Sequence, residues 1–241
     1  LITVSLFCSC AQQKETTSAI PVILDTDVGN DIDDVLAMQM LLNYEKKEKI
    51  DLLGITISKC NPYSLEYIDA YCRFNDKYDI PLGYAYNGMN TDDGHYLRQT
   101  LDTIIDNNKI LHPKRSLKDH IPEGYKLLRK LLAEQGDHSV VFIALGPETN
   151  LARLLISEAD EYSELDGKAL VAQKVKLLSV MGGLYDNEFN FPEWNIVNDL
   201  NAAQITFKEW PTPIIASGWE LGNKIRYPHQ SILNDFADSY K

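Results

Sequence analysis

Apolar residues along this chain gather in short unbroken runs, and between the runs they recur every three or four positions. The runs lie at residues 22–24, 52–57, 80–85, 140–145, 175–181 and 213–216. Most are near-continuous rather than alternating, the pattern of strands buried on both faces. Helical spacing predicts helices over 33–44, 63–78, 123–135 with Pro122 at its entry, 150–157 and 200–210. Strand and helix alternate, which predicts an α/β fold: an open, mostly parallel sheet with helices on both faces. Residues 87–120 are polar and irregular, and so long an excursion in a compact domain reads as a functional lid or an insertion. Asp92, Asp93 and His95 within it read as part of a solvated loop, with an approach to a ligand as the alternative.

A hydrophobic content of 44% over 241 residues is enough for one large core. The formal charge of −12, from 23 basic and 35 acidic residues, argues against a nucleic-acid backbone as partner, since neutralising phosphates needs a Lys/Arg surface. Residues 1–10, LITVSLFCSC, are too short to span a bilayer and resemble the latter part of a secretory h-region. Ser9-Cys10 resembles the end of a bacterial lipobox, in which Cys10 would carry the lipid, and polar residues 11–18 read as a tether. The expectation is a leader remnant and tether over 1–19, a folded domain over 20–241, and an exported bacterial protein, periplasmic or membrane-anchored. An edge strand or a cloning remnant is the competing reading. Cys60 and Cys72 read as two buried free thiols, although spacing alone does not decide whether they pair.

The chemistry concentrates in one run, where Asp25, Asp27, Asp31, Asp33 and Asp34 fall within ten residues. So many carboxylates raise one another's pKa and cost stability unless a cation neutralises them. The run holds oxygen ligands and neither His nor Cys, which suits calcium or magnesium, and the number of carboxylates favours calcium. It lies between the apolar run at 22–24 and the helical pattern of Val35, Leu36, Met40, Leu41 and Tyr44, hence on a strand-to-helix turn. In open α/β sheets ligands bind outside the carboxyl ends of the strands, and here the helix's positive end stands beside Asp33 and Asp34. An EF-hand loop counted from Asp25 would need Gly and Glu where Asn30 and Leu36 stand. An acidic helix start accounts for Asp31, Asp33 and Asp34 but leaves Asp25 and Asp27 unexplained.

The run resembles the amino-terminal D-x-D-x-G-x-D-D signature of the inosine-uridine preferring nucleoside hydrolases, with two additional residues before Asp33-Asp34. A rival alignment places Asp31 where Asp33 is placed here. Further pieces follow in the family's order: Leu52-Leu53-Gly54-Ile55-Thr56 and then Asn61, Gly146-Pro147-Glu148-Thr149-Asn150-Leu151-Ala152, Met181-Gly182-Gly183, and Glu193-Trp194-Asn195 with Asp199, Ala202 and Ala203 beyond. The resemblance covers residues 21–230 and implies a Rossmann-like nucleoside hydrolase fold. It also implies calcium-dependent hydrolysis of the N-glycosidic bond of ribonucleosides, giving free base and ribose, with a small-molecule nucleoside as partner; a homo-oligomer is left open. By resemblance, Asp27 is general base and calcium ligand, Asp34 a calcium ligand and the Thr149 carbonyl a third. Asp25, Asp33, Asn61, Glu193 and Asn195 would grip the ribose, with Asn187 or Asn190 toward the 5′-hydroxyl. Trp194 is expected as core or wall.

The family's further calcium-ligand Asp comes from a helix downstream of the strand at 213–217, with a nearby His that protonates the leaving base in many members. His229, Asp235 and Asp238 lie near such a place but lack the family's context, so the expectation is a domain without its carboxyl-terminal part. Two other classes stay open: a ribose- and calcium-binding relative without catalysis, and a haloacid-dehalogenase-type phosphatase. The latter also places D-x-D after a strand, but it needs a later acidic pair where Met181-Gly182-Gly183 stands.

Overall fold

The computed structural model describes residues 19–186 and 188–235. Cys10, the tether, Asn187 and Asp238 therefore lie outside the described residues. In chain order the elements are β1 (Ile20–Thr26), α1 (Asp33–Lys46), β2 (Ile50–Ile57), α2 (Pro62–Phe74), β3 (Leu82–Tyr84), α3 (Leu97–Leu101), β4 (Ile104–Ile105), β5 (Asn108–Lys109), α4 (Gly124–Ala133) and β6 (Val140–Ala144). They continue as α5 (Thr149–Leu155), α6 (Gly167–Lys174), β7 (Val175–Met181), α7 (Trp194–Asn198), α8 (Leu200–Glu209), β8 (Ile214–Ser217), α9 (Trp219–Lys224) and α10 (His229–Asp235).

Six strands form one sheet in the order β3-β2-β1-β6-β7-β8, every neighbouring pair parallel. This is the open parallel α/β sheet that the apolar pattern predicts. β1 shows why its run is unbroken: Val22 and Leu24 pack with α1 and α2 on one face, while Ile23 packs with α4 and α5 on the other. Both faces are covered, so neither offers a polar position. The chain runs outward from β1 to β2 and β3, then returns to place β6 on β1's other side. The carboxyl end of β1 beside β6 is thus the switch point where such sheets bind ligands.

Register brings the motifs onto that edge. Asp25 stands opposite Thr56 of β2 and Ala144 of β6, Ala144 opposite Val180 of β7, and Met181 opposite Ser217 of β8. The loops after these strands, scattered from residue 27 to residue 219, therefore open side by side.

Differences from the predicted elements have local causes. The strand expected at 80–85 pairs only over Leu82–Tyr84, because Pro81 has no N–H to give to the ladder. The helix expected to reach residue 78 ends at Phe74, where Asp76 turns to φ 65°. α6 has almost no amphipathic pattern and was not predicted; it starts where the Asp166 side chain accepts from Ala169 N at 2.8 Å. Cys72 is buried, whereas Cys60 is only half-buried, and both are free. Residues 87–120 form α3 and the β4–β5 hairpin within a strap fastened at both ends. At one end Asp69 accepts from Lys114 N, Arg115 N and Arg115 Nε at 2.6, 3.0 and 2.6 Å. The other end crosses the sheet edge.

Candidate active site

At that edge lies a hollow of about 260 Å³. The loop after β1 supplies Asp27, Asn30, Asp31, Asp33 and Asp34; the strap supplies His95; the β7 side supplies Met181, Glu193, Trp194 and Asn195; and Trp219 closes the far side after β8.

Asp27 follows the last residue of β1 and is 7% exposed. Its Oδ2 accepts from Asn90 Nδ2 of the strap at 2.8 Å. The next strand's turn closes over it at Gly146, where a Cβ would lie 2.6 Å from the Asp27 carboxyl carbon. Any larger residue at Gly146 would displace the carboxylate. Asp34, in the first turn of α1, is buried and accepts a short bond from Thr26 Oγ1. Burial raises the pKa of both carboxyls; Lys59 opposes the rise at Asp27, Asp33 adds to it at both, and Asp27's own charge adds to it at Asp34. Asp33 is raised by burial and by Asp31.

Glu193 caps α7, accepting from Gly183 N at 2.9 Å, Asn195 N at 3.0 Å and Ile196 N at 3.1 Å. This ties the Met181-Gly182-Gly183 strand end to the Glu193-Trp194-Asn195 turn. Asn195 Nδ2 donates to the carbonyls of Leu145 and Met181 at 2.8 and 3.2 Å, which orients its amide oxygen as the free acceptor. Trp194 is half-exposed on the wall of the hollow and not in the core.

Asp27, Asp33, Asp34, Glu193 and Asn195 thus meet in one place. Asp25, Asn61 and Thr149 stand behind it. Asp25 is fully buried beneath the hollow, accepting from Thr56 Oγ1 at 2.5 Å and Asn150 Nδ2 at 2.7 Å, and burial pushes it up to about 6 against those bonds. Asn61 caps α2 through Tyr63 N at 2.9 Å and donates to Asp93 at 2.7 Å. Thr149 begins α5, and its hydroxyl donates to Asp199 at 2.8 Å beside a separate hollow near Asn87 and Met89. Asn190 lies beyond the hollow's lining.

Among the described residues no three acidic, His or Cys side chains converge in metal-ligating geometry. Two features nevertheless fit a hard cation. Asp27 and Asp34 are enclosed, with the charge of Asp27 opposing ionisation of Asp34, and buried carboxylate oxygens nearby, Asp25 Oδ1 and both oxygens of Glu148, have no donor. Glu148 is pushed up to about 8 by burial, with Glu193 and Asp25 adding to the rise. An acceptor-only donor set of this kind suits calcium.

Lys59, Asn90 and Trp219 are part of this region and were not singled out from the sequence. Lys59 and Trp219 follow closely on the ends of β2 and β8, so position at a strand's carboxyl end was a usable signal for both. Asn90 sits in the irregular strap and carried none.

The family described as inosine-uridine preferring nucleoside hydrolase matches residues 22–240. Pyrimidine-specific ribonucleoside hydrolase RihA of Enterobacter sp. (strain 638) is 27% identical over 212 residues, covering 86% of this chain and 62% of that protein. RihA of Escherichia coli (strain SMS-3-5 / SECEC) is 26% identical over 221 residues, with the same coverage of 86% and 62%. The chain therefore spans 62% of the length of these relatives. Among solved structures, the plant nucleoside hydrolase PpNRh1 superposes with a TM-score of 0.64 at 21% identity, covering 89% of this chain and 64% of that one. The inosine-uridine preferring nucleoside hydrolase from Bacillus anthracis superposes at 0.59 and 16% identity, covering 88% and 68%. These two likenesses establish the fold.

Proposed function

The chain belongs to the inosine-uridine preferring nucleoside hydrolase family, and on that premise we propose that it hydrolyses the N-glycosidic bond of ribonucleosides to free base and ribose, with calcium as cofactor. The observation that carries the reading is the convergence of Asp27, Asp34, Glu193 and Asn195 on one hollow at the sheet's switch point.

Breaking the bond passes through a ribosyl cation of oxocarbenium character, so the site must deliver water to one face of C1′ and stabilise positive charge on the sugar. Asp27 takes the proton from the attacking water, a role that fits its enclosed place on the lining of the hollow. Asp27 and Asp34 would hold the calcium, with the Thr149 carbonyl as third ligand by family resemblance. The chemistry calcium supplies when bound is Lewis acidity, which eases loss of a proton from water near neutral pH. Asp33, Glu193 and Asn195 hold the ribose hydroxyls, and Glu193 is already positioned by three backbone N–H donors. Asp25 and Asn61, with side chains engaged by Thr56, Asn150, Tyr63 and Asp93, are assigned to the floor and the strap behind the sugar.

The test is hydrolysis of inosine, uridine and p-nitrophenyl riboside by the purified protein, with and without a chelator. Release of base that stops on chelation and returns with calcium is expected. Tight ribose binding without turnover would favour a binding protein. Calcium-independent release of phosphate from a phosphoester would favour the phosphatase class, against which stands the absence of an acidic pair at Met181-Gly182-Gly183.

A further inference from the structure

One buried cation of this region has no part in the mechanism above. Lys59 stands just past β2 with its side chain 0% exposed, and its Nζ donates to Asn30 Oδ1 at 2.7 Å and to Asp92 Oδ1 at 3.3 Å. Asn30 belongs to the loop that leads into Asp33 and Asp34 at the start of α1; Asp92 belongs to the strap. The two segments meet above the lysine through glycines. Gly29, at φ 137°, lies over the Lys59 stem, where a Cβ would be 3.4 Å from Cε. Gly94, at φ 69°, comes so close that a Cβ would sit 2.5 Å from Gly29 O, and His95 N donates to that same oxygen at 2.6 Å.

An ammonium stripped of water is tolerated only where negative charge and acceptors replace its hydration. Here two oxygens do so directly. Its charge also stands against the hollow, because Asn30, to which it donates, lines that hollow together with Asp27 and Asp34. A fixed positive charge that attracts carboxylates also repels a divalent cation arriving among them.

We propose that Lys59 is the resident counter-cation of the carboxylate hollow: it fastens the Asp33–Asp34 loop to the strap while no metal is bound, and by like-charge repulsion it weakens the hollow's affinity for calcium. This rests on the assignment of Asp27 and Asp34 to calcium made above. A purely structural lysine predicts the opposite sign, because loosening the loop would weaken metal binding.

The test is isothermal titration with calcium chloride alone on the wild type, K59M, K59Q and K59R. Removing one unit charge from the surroundings of a divalent ion in a partly screened site corresponds to a change on the order of tenfold or more. Both neutral variants are therefore expected to bind calcium about tenfold more tightly or better, and K59R within about threefold of the wild type. K59Q keeps an N–H donor for Asn30, so it separates the charge from the contact if K59M folds poorly. In chelator the neutral variants are expected to melt below the wild type, with calcium closing the gap. Equal or weaker calcium binding by both neutral variants overturns the proposal. Failure of all four proteins to bind calcium overturns it as well, and wild-type turnover of uridine in the same preparation then shows whether the hydrolase reading falls with it.

Discussion

Asp27 illustrates how function and stability oppose each other at a single residue. A carboxylate enclosed at 7% exposure, with Asp34 beside it, is costly in the absence of a cation. The same enclosure, with Asn90 donating to it, holds the carboxylate in one orientation, as a positioned proton acceptor requires. Asp27→Asn keeps the shape and an acceptor for Asn90 but removes the charge. It is expected to lower kcat/KM by about 10²–10⁴-fold, measured with p-nitrophenyl riboside, and to raise the melting midpoint in chelator. A variant as active as the wild type, or one less stable in chelator, would contradict this account. The pairing of Asp27 with Asp34 was readable from the D-x-D and D-D spacing, since both belong to one turn. The work of Asp25 was not, because Thr56 and Asn150 reach it from β2 and α5.

At the scale of elements, Arg129 holds α4 to the 157–165 loop. It is 1% exposed, and its guanidinium donates to Asp160 at 2.6 and 2.9 Å, to Ser157 Oγ at 3.0 Å and to the carbonyls of Ser163 and Leu165 at 3.1 and 2.8 Å. All five contacts lie outside its own helix. Arg129→Leu removes all five bonds, leaving Asp160 only the N–H groups of Tyr162 and Ser163, and is expected to cost about 3 kcal/mol, read as a lower denaturant midpoint at unchanged m-value. An exposed arginine would lose less than about 0.5 kcal/mol, so a null result would show the cluster to be energetically idle. The helix itself was legible, because Leu127, Leu128, Leu131 and Leu132 carry a 3.6-residue stripe. The burial of Arg129 was not: a charge between apolar positions reads as a solvated face until a loop 30 residues on closes over it. α6 escaped for a related reason, since its eight residues carry no apolar stripe.

At the scale of the whole molecule, two acidic residues tie distant segments together and make the fold acid-sensitive. Burial raises the Asp69 carboxyl, but the donors from Lys114 and Arg115 outweigh it, and the net shift is downward. Asp160 is lowered chiefly by its bond with Arg129. A carboxyl lowered in the folded state adds stability that is present above its unfolded value, about 3.9, and is lost as pH falls through the folded value. Stability should therefore decline below about pH 4, and the decline should flatten in Asp69→Asn, as chemical denaturation at a series of pH values would measure. An unchanged slope would mean that the strap's anchor carries no such linkage.

By itself the sequence determined the parallel α/β sheet, the strand-end turn of aspartates and the order of the motifs along the chain, because strand and helix periodicity and a cluster of like charges are local properties. Only the tertiary structure decided which of those motifs share a hollow. The parallel register aligns five strand ends, so Glu193 and Asn195 come to face Asp27 while Asn61 and the Thr149 hydroxyl turn to other partners. It also decided that the irregular segment is a strap, with Asn90 on Asp27 and Lys59 enclosed beneath. Such contacts span 33 to 63 residues of sequence, and no local pattern encodes a partner that folding alone brings near.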